Sequence, residues 1–469
     1  MKTALRLDIL CLSLMTLLSA CQSDNGTPPV PTPISAGTWT WASGGDIVSR
    51  RGIYGIKGTS DPSNVPGARC NAVSWIDSSG RFWLFGGMGV DAVWNSGKLN
   101  DLWKYDPAIN EWTWVSGSDL IEQGGVYGTR GVSDPSNVPG ARRDAASWLD
   151  PQGDLWLFGG IGQDWSGNYG WLNDLWVFDP ATLEWTWVSG SNTVNQAGVY
   201  GTQGVAAPSN VPGSKARVAS WMDGGGKLWL FGGFGFISPG HYGGFNDLWK
   251  YDPATREWTW VSGSSTDSAR GVYGVRGTAS LSNVPGARDG AISWIDGAGE
   301  LWLFGGAGID NIDTLNDLWK YDPATSEWTW VSGSNLYGEK GIYGTRGLAA
   351  PSNVPGARGE SRSWIDSSGK FWLFGGFGHD SADNEGALND LWVFDPATRE
   401  WTWVTGGQIH GQSGVYGTLG TSASSNVPGA RKAATSQVDS SGRLWLFGGL
   451  GYDSAGTQSL LNDLWRYTR

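Results

Sequence analysis

Trp-Thr-Trp occurs six times in this chain, beginning at Trp39, Trp112, Trp185, Trp258, Trp328 and Trp401. The steps between copies are 73, 73, 73, 70 and 73 residues. Phe-Gly-Gly (first at Phe85), Asn-Asp-Leu-Trp (first at Asn100) and a Tyr-Gly pair (first at Tyr54) recur on the same frame. A three-residue deletion between Gly306 and Asn316 is the one break in spacing. Self-similarity at a fixed period means one supersecondary unit, repeated, that buries its apolar surface against its neighbours.

Each unit reads as four short strands. In the second unit, strand a is "RRDAASWLD" from Arg142, strand b is residues 155–160, strand c is 174–179 and strand d is 184–188. The runs are aromatic-rich and bounded by Asp, Pro and Gly. Asp-Pro suits the first two places of a type I turn. No amphipathic segment of helix length follows residue 36. Four antiparallel strands make too small a sheet to stand alone, and a row of such sheets leaves edges exposed unless it closes. The last unit, ending "LLNDLWRYTR", has strands a, b and c but no d, whereas "TWTWA" at 38–42 is a lone strand d. The two deficits match. The expectation is an all-β, six-bladed β-propeller over residues 37–469, with four antiparallel strands per blade and strand 38–42 completing the last blade.

The Gly-Gly closing strand b (Gly86-Gly87 and its copies), the aromatic in strand c (Tyr105, Phe178, Tyr251, Tyr321, Phe394, Tyr467) and the Trp of strand d resemble the signature of the kelch β-propeller family. The resemblance covers residues 37–469. Kelch units run about 50 residues, and the extra length here lies in the d-to-a connection, such as "VSGSDLIEQGGVYGTRGVSDPSNVPGAR". The family includes extracellular oxidases, a sialic acid mutarotase and many binding proteins, so the resemblance implies the fold and leaves the activity open.

The first residues read as an export signal: Lys2 and Arg6, then an apolar stretch from Ile9 to Leu18, too short to stay as a membrane span. Leu18-Ser19-Ala20-Cys21 resembles the lipobox of bacterial lipoproteins. That resemblance implies that residues 1–20 are removed and Cys21 is acylated, palmitate included, which anchors the protein to a membrane. Residues 22–36, rich in Pro, Ser and Thr, read as a tether. Gln22, where an inner-membrane retention signal would carry Asp, favours the outer membrane of the cell envelope. Of three cysteines, only Cys70 would remain free, so no internal disulfide is available to the mature chain. Loss of Lys2, Arg6 and Asp8 with the signal takes the formal charge from −12 to −13. An acidic chain with no basic stripe is a poor partner for nucleic acid. A monomer is expected.

Of 32 tryptophans, 29 sit in the repeat frame. Residues that recur in every unit serve packing, because a single ligand has no use for six copies. Function belongs where the copies differ, on the face carrying the b–c and d–a connections and the start of strand a. Two clusters break the repeat there. The first is aromatic: Trp94, Trp165, Tyr169, Trp171, Phe236 and Tyr242, all in b–c loops, suited to stacking on sugars or gripping a protein. The second is charged. The second place after the residue opening strand a reads Asn71, Asp144, Arg217, Gly290, Glu360 and Ala433; two further on stand Val73, Ala146, Ala219, Ile292, Arg362 and Thr435. A period of two puts Glu360 and Arg362 on one side of the strand. With Arg217 and Asp289 nearby, they suit an anionic or polyhydroxylated ligand, the alternative being internal ion pairs.

Asp91, Asp164, Asp310, Asp380 and Asp453 share one loop position and fit loop-closing Asx turns better than calcium ligation. His379 and His410 fall in neighbouring loops, but no metal spacing motif supports them, so no metal and no cofactor are assigned. No catalytic motif appears. The expected function is binding of a glycan or a protein by a membrane-anchored propeller. The alternatives are a carbohydrate-acting enzyme (mutarotase-, oxidase- or hydrolase-like) using Glu360 and Arg362, and a structural envelope protein.

Overall fold

A computed structural model describes residues 33–308 and 313–469 of the chain. The export signal, Cys21, most of the tether and Asp310 lie outside the described residues. Those residues hold β-strands and no helix. The sheets are antiparallel and follow the repeat.

The second unit shows the pattern. Strand b runs Leu155–Gln163 and strand c Tyr169–Asp179, both longer than the sequence runs suggest. They pair from Leu155↔Phe178 to Gln163↔Tyr169, with a bulge between Phe158 and Gly160. The bulge is where Phe-Gly-Gly sits. Gly159 (φ 63°) is left-handed, and a Cβ there would lie 2.7 Å from the Lys215 carbonyl of the next unit. Strand d, Glu184–Ser189, pairs with strand c.

Strand a differs from the expectation. It is two pieces, Arg142–Arg143 and Ala146–Leu149, rather than one run. Asp144 between them is left-handed at φ 61°. The same break recurs at Asn71, Arg217, Gly290, Glu360 and Ala433, with φ from 53° to 63°. Residue 360 is therefore not extended backbone, and a period of two does not place Glu360 and Arg362 on one side of the strand. The break has a use. Backbone N–H groups at these positions donate to the carbonyl of the equivalent residue one unit back: Asp144 to Asn71, Arg217 to Asp144, Gly290 to Arg217, Glu360 to Gly290, Ala433 to Glu360 and Asn71 to Ala433, at 2.8–3.0 Å. The series returns to its first residue.

The N-terminal strand Thr38–Ser43 pairs antiparallel with Gln458–Thr468, with Trp39 opposite Tyr467 and Trp41 opposite Trp465. Apolar cores lie between units. One joins Phe82, Leu84 and Trp112 of the first unit to Trp445, Phe447 and Leu464 of the last. The long d–a connection explains the extra repeat length. Residues Ser60–Asp61 pair with strand d, Glu111–Ser116, and Gly58 N–H donates to Trp114 O at 2.7 Å. Equivalent bonds run from Gly131, Gly204, Gly277, Gly347 and Gly420. The connection thus covers the outer edge of each sheet, which would otherwise be open to pairing with another chain.

Candidate functional site

Two layers of charge surround the start of strand a. The lower layer is repeated. Arg69 Nη1 and Nη2 donate to Asp101 Oδ1 and Oδ2, both at 2.7 Å, while Tyr54 Oη and Trp103 Nε1 also donate to Asp101 Oδ2. Arg69 Nε reaches the Gly67 carbonyl and Nη1 the Gly86 carbonyl. Arg142–Asp174, Arg288–Asp317, Arg358–Asp390 and Arg431–Asp463 repeat the clamp. Lys215–Asp247 stands in for it in the third unit. All these carboxylates are fully covered. Burial combined with the neighbouring carboxylate pushes each clamp tyrosine's pKa up, as at Tyr54 and Tyr127. Full pairing is the condition for burying such charge. The Arg–Asp pairing was not read from the sequence, since the partners lie 29 or 32 residues apart and only the strand register joins them.

The upper layer is not repeated. It is built on the left-handed positions and their neighbours. Arg217 Nη1 lies 3.3 Å from Asp289 Oδ1 and 3.6 Å from Glu360 Oε1. Lys432 Nζ lies 3.4 Å from Glu360 Oε2. Arg143 pairs with Asp144 at 2.7 Å, and Asn71 Nδ2 donates to the same carboxylate. Arg362 is different. Its side chain makes no hydrogen bond among the described residues, and its Nε is covered and unpartnered. Burial pulls its pKa below the ordinary arginine value, against the opposing pull of Glu360 and Asp144. Glu360 and Arg362 do come together, lining one small cavity with Asp144 and Arg217. Arg362 also borders a second cavity along the inner strands, where Ser220, Ser293 and Ser363 face it.

Outward from Arg217 and Glu360 a recess of about 330 Å³ opens. Its walls add Asp289, Thr314, Phe377 and Lys432. Burial pushes the Asp289 carboxyl up to about 7, outweighing the pull of Arg217. Burial likewise raises the Cys70 thiol to about 12, which leaves it protonated and inert. Lys432 and Phe377 were missed from the sequence. Lys432 sits one place after the residue opening strand a, beside the column that was read, and that column also breaks the repeat: Cys70, Arg143, Ala216, Asp289, Gly359, Lys432.

The loop aromatics divide. Trp171 and Tyr242 stack on each other, with ring centroids 4.5 Å apart, and Phe236 meets Tyr242 edge-on. Lys98 caps the ring of Tyr169 at 4.2 Å. The Trp171–Tyr242 and Lys98–Tyr169 contacts knit adjacent hairpins together. Trp94 and Trp165 stand out, 59 % and 58 % exposed, with Arg51 near Trp94. Asp91, Asp164, Asp380 and Asp453 each accept two backbone N–H groups within their own loop, as in Val93 and Asn95 to Asp91 Oδ1. That is loop closure. The two histidines part company: His410 Nδ1 faces Asp380 at 2.8 Å, while His379 faces Asp313 and Asp383.

A protein-family model described as the KLHDC2/KLHL20/DRC7 Kelch-repeats domain matches the chain over residues 59–272, 132–332 and 205–407. The three matches start 73 residues apart, one repeat unit each time. No curated protein sequence matches the chain.

Proposed function

Because the chain belongs to the kelch-repeat domain family, we propose that it is a binding propeller that seats its ligand in the recess lined by Arg217 and Glu360, next to the small cavity that holds Arg362. In this reading the six units form a closed ring, with Thr38–Ser43 as the outer strand of the last blade. Three observations support the ring: the pairing of Trp39 with Tyr467, the core shared by the first and last units, and the backbone series that returns to Asn71. The ligand is a glycan or a protein segment that offers carboxylates or paired hydroxyls to the recess. Cys21, acylated, holds the propeller to the outer membrane as a monomer.

One observation carries the binding reading. Arg362 keeps its guanidinium at the small cavity it shares with Arg217 and Glu360, with no hydrogen-bond partner among the described residues, whereas every nitrogen of the clamp guanidinium of Arg358 is bonded. A partly buried guanidinium whose Nε is covered and unpartnered is costly unless a ligand meets it. The test uses the full chain on a glycan array and on a peptide library. Ligands captured by the wild type and lost in Arg217→Met and Arg362→Met support the proposal. Equal binding in the wild type and both variants, or no ligand in either arm, refutes it. The anchor is tested separately: Cys21→Ser should abolish acyl labelling and release the protein from membranes.

A second reading, chemistry on a carbohydrate, has one observation in its favour. Asp289, with its carboxyl near 7, suits general acid–base work at neutral pH. Wild-type acceleration of sugar mutarotation, followed by polarimetry and lost in Asp289→Asn, would favour it over simple binding.

A further inference from the structure

We infer that Asp313, His379 and Glu385 hold a divalent transition-metal ion, of the Zn²⁺ class, at the rim of the recess. One ligand atom from each side chain lies within 4.8 Å of the other two. An imidazole nitrogen with two carboxylates is a mixed N/O set, which suits Zn²⁺ or its first-row neighbours and leaves coordination positions open.

The repeat supplies the first argument. His379 and Glu385 face each other across the end of the b–c hairpin. The matching pairs elsewhere are Val90 and Ser96, Gln163 and Tyr169, and Tyr452 and Gln458. Asp313 stands where the other units have Gly97, Gly170, Gly243, Gly386 and Ser459. Three ligating side chains therefore fall at three positions that are otherwise non-ligating, on two adjacent hairpins. The hairpin carrying Asp313 is the one shortened by the three-residue deletion.

Local geometry supplies the second argument. Gly338 (φ 71°) leaves open the space over this point; a Cβ there would lie 2.7 Å from Asp313 Oδ2 and 3.5 Å from His379 Nε2. The first two units fill the equivalent place with Glu122 and Asn195, whose side chains cap the hairpin backbone. In the fourth unit Asp313 Oδ1 takes over that cap from Thr314 N–H, which leaves Oδ2 free of donors. His379 Nδ1 lies 3.2 Å from Asp383 Oδ1. A carboxylate accepting Nδ1–H fixes the tautomer whose Nε2 lone pair binds metal, the usual second-shell arrangement. Glu385 has no ion pair among the described residues. Without a metal, His379 meets only Asp313 and Asp383 through its two ring nitrogens, and Glu385 has no part.

This inference does not depend on what the recess binds. The test titrates the chelator-stripped full chain with ZnCl₂ by calorimetry, with the bound metal counted by elemental analysis. One equivalent should bind to the wild type. His379→Ala and Glu385→Gln should each weaken it at least tenfold, and Asp383→Asn about tenfold through the second shell. His410→Ala should leave it unchanged. Glu385 is exposed, so its variant folds and keeps the test valid if His379→Ala does not. No Zn²⁺ uptake, or equal affinity in the wild type and Glu385→Gln, overturns the proposal. Preference for CaCl₂ over ZnCl₂ does so too, because the imidazole would then be idle.

Discussion

Two positions only two residues apart, at the start of every strand a, follow opposite rules. The first is Arg69, Arg142, Lys215, Arg288, Arg358 and Arg431, cationic throughout and locked to a buried carboxylate. The second is Asn71, Asp144, Arg217, Gly290, Glu360 and Ala433, six residues with nothing in common. Their backbones nevertheless share one left-handed conformation and one inter-unit hydrogen bond. The first position does structural work through its side chain and stays cationic. The second does it through main-chain atoms alone, which frees its side chain for other chemistry. Left-handed backbone costs a non-glycine residue on the order of 1 kcal/mol, so the units accept a small penalty at five of six places, two of which, Arg217 and Glu360, put their side chains at the recess.

The largest test of this contrast is charge removal. Asp390→Asn leaves Arg358 buried without its counter-charge and should cost about 3–5 kcal/mol, read from urea unfolding. Glu360→Gln, in the upper layer and partly solvated, should cost about 1 kcal/mol or less. Similar costs at both sites would break the distinction. Tryptophans test the same idea by volume. Trp39 is covered and packs on Phe374, Trp465 and Tyr467, so Trp39→Ala should cost about 3–5 kcal/mol. Trp165→Ala, at an exposed loop, should stay within about 0.5 kcal/mol.

The contrast also explains what could be read in advance. Packing residues are identical between units, so Trp-Thr-Trp and Asn-Asp-Leu-Trp announced the frame, the strands and the match between Trp39 and the final strand c. The left-handed break was invisible. Asn, Asp and Gly tolerate that conformation readily, but Arg217, Glu360 and Ala433 do not advertise it. The clamp was hidden because Arg and Asp meet only through sheet register. The recess was half visible. Arg217, Asp289 and Glu360 stood out as charges breaking a repeat, as did Arg362 in the adjoining small cavity, whereas Phe377, Asp313 and Glu385 reach the recess from neighbouring hairpins whose placement requires coordinates.

A pH titration sharpens the upper-layer side. The Asp289 carboxyl lies near 7 in the folded protein, above about 4 for an unfolded aspartate. Between those values the unfolded chain binds fewer protons than the folded one, so this group lowers stability as pH rises from 4 to 7 and levels off beyond. Arg217 opposes the shift; Glu360 and Asp144 reinforce it. Urea midpoints of the wild type should fall across that window relative to Asp289→Asn. Parallel profiles would mean that Arg217 keeps Asp289 ionised throughout.

The one stabilising change comes from the exception on the lower side. Lys215 Nζ reaches both oxygens of Asp247 at 2.7 Å, so the ion pair survives. What it lacks is the rest of the guanidinium. In the other units Nη1 also holds the first glycine carbonyl of Phe-Gly-Gly: Gly86, Gly159, Gly305, Gly375 and Gly448. The third unit is also the one whose strand b is interrupted at Gly232–Gly233, splitting into Leu228–Phe231 and Phe234–Ser238. The missing tie and the split fall at the same glycines. Phe245, where most units have Leu, fills the space with its ring 4.4 Å from Nζ, so a guanidinium needs that room back. The double change Lys215→Arg with Phe245→Leu restores two backbone hydrogen bonds and should raise stability by about 1 kcal/mol, with slower amide exchange at Gly233. No gain in either measurement would show that the clamp acts through its charge pair alone, and that the glycine carbonyls are bystanders.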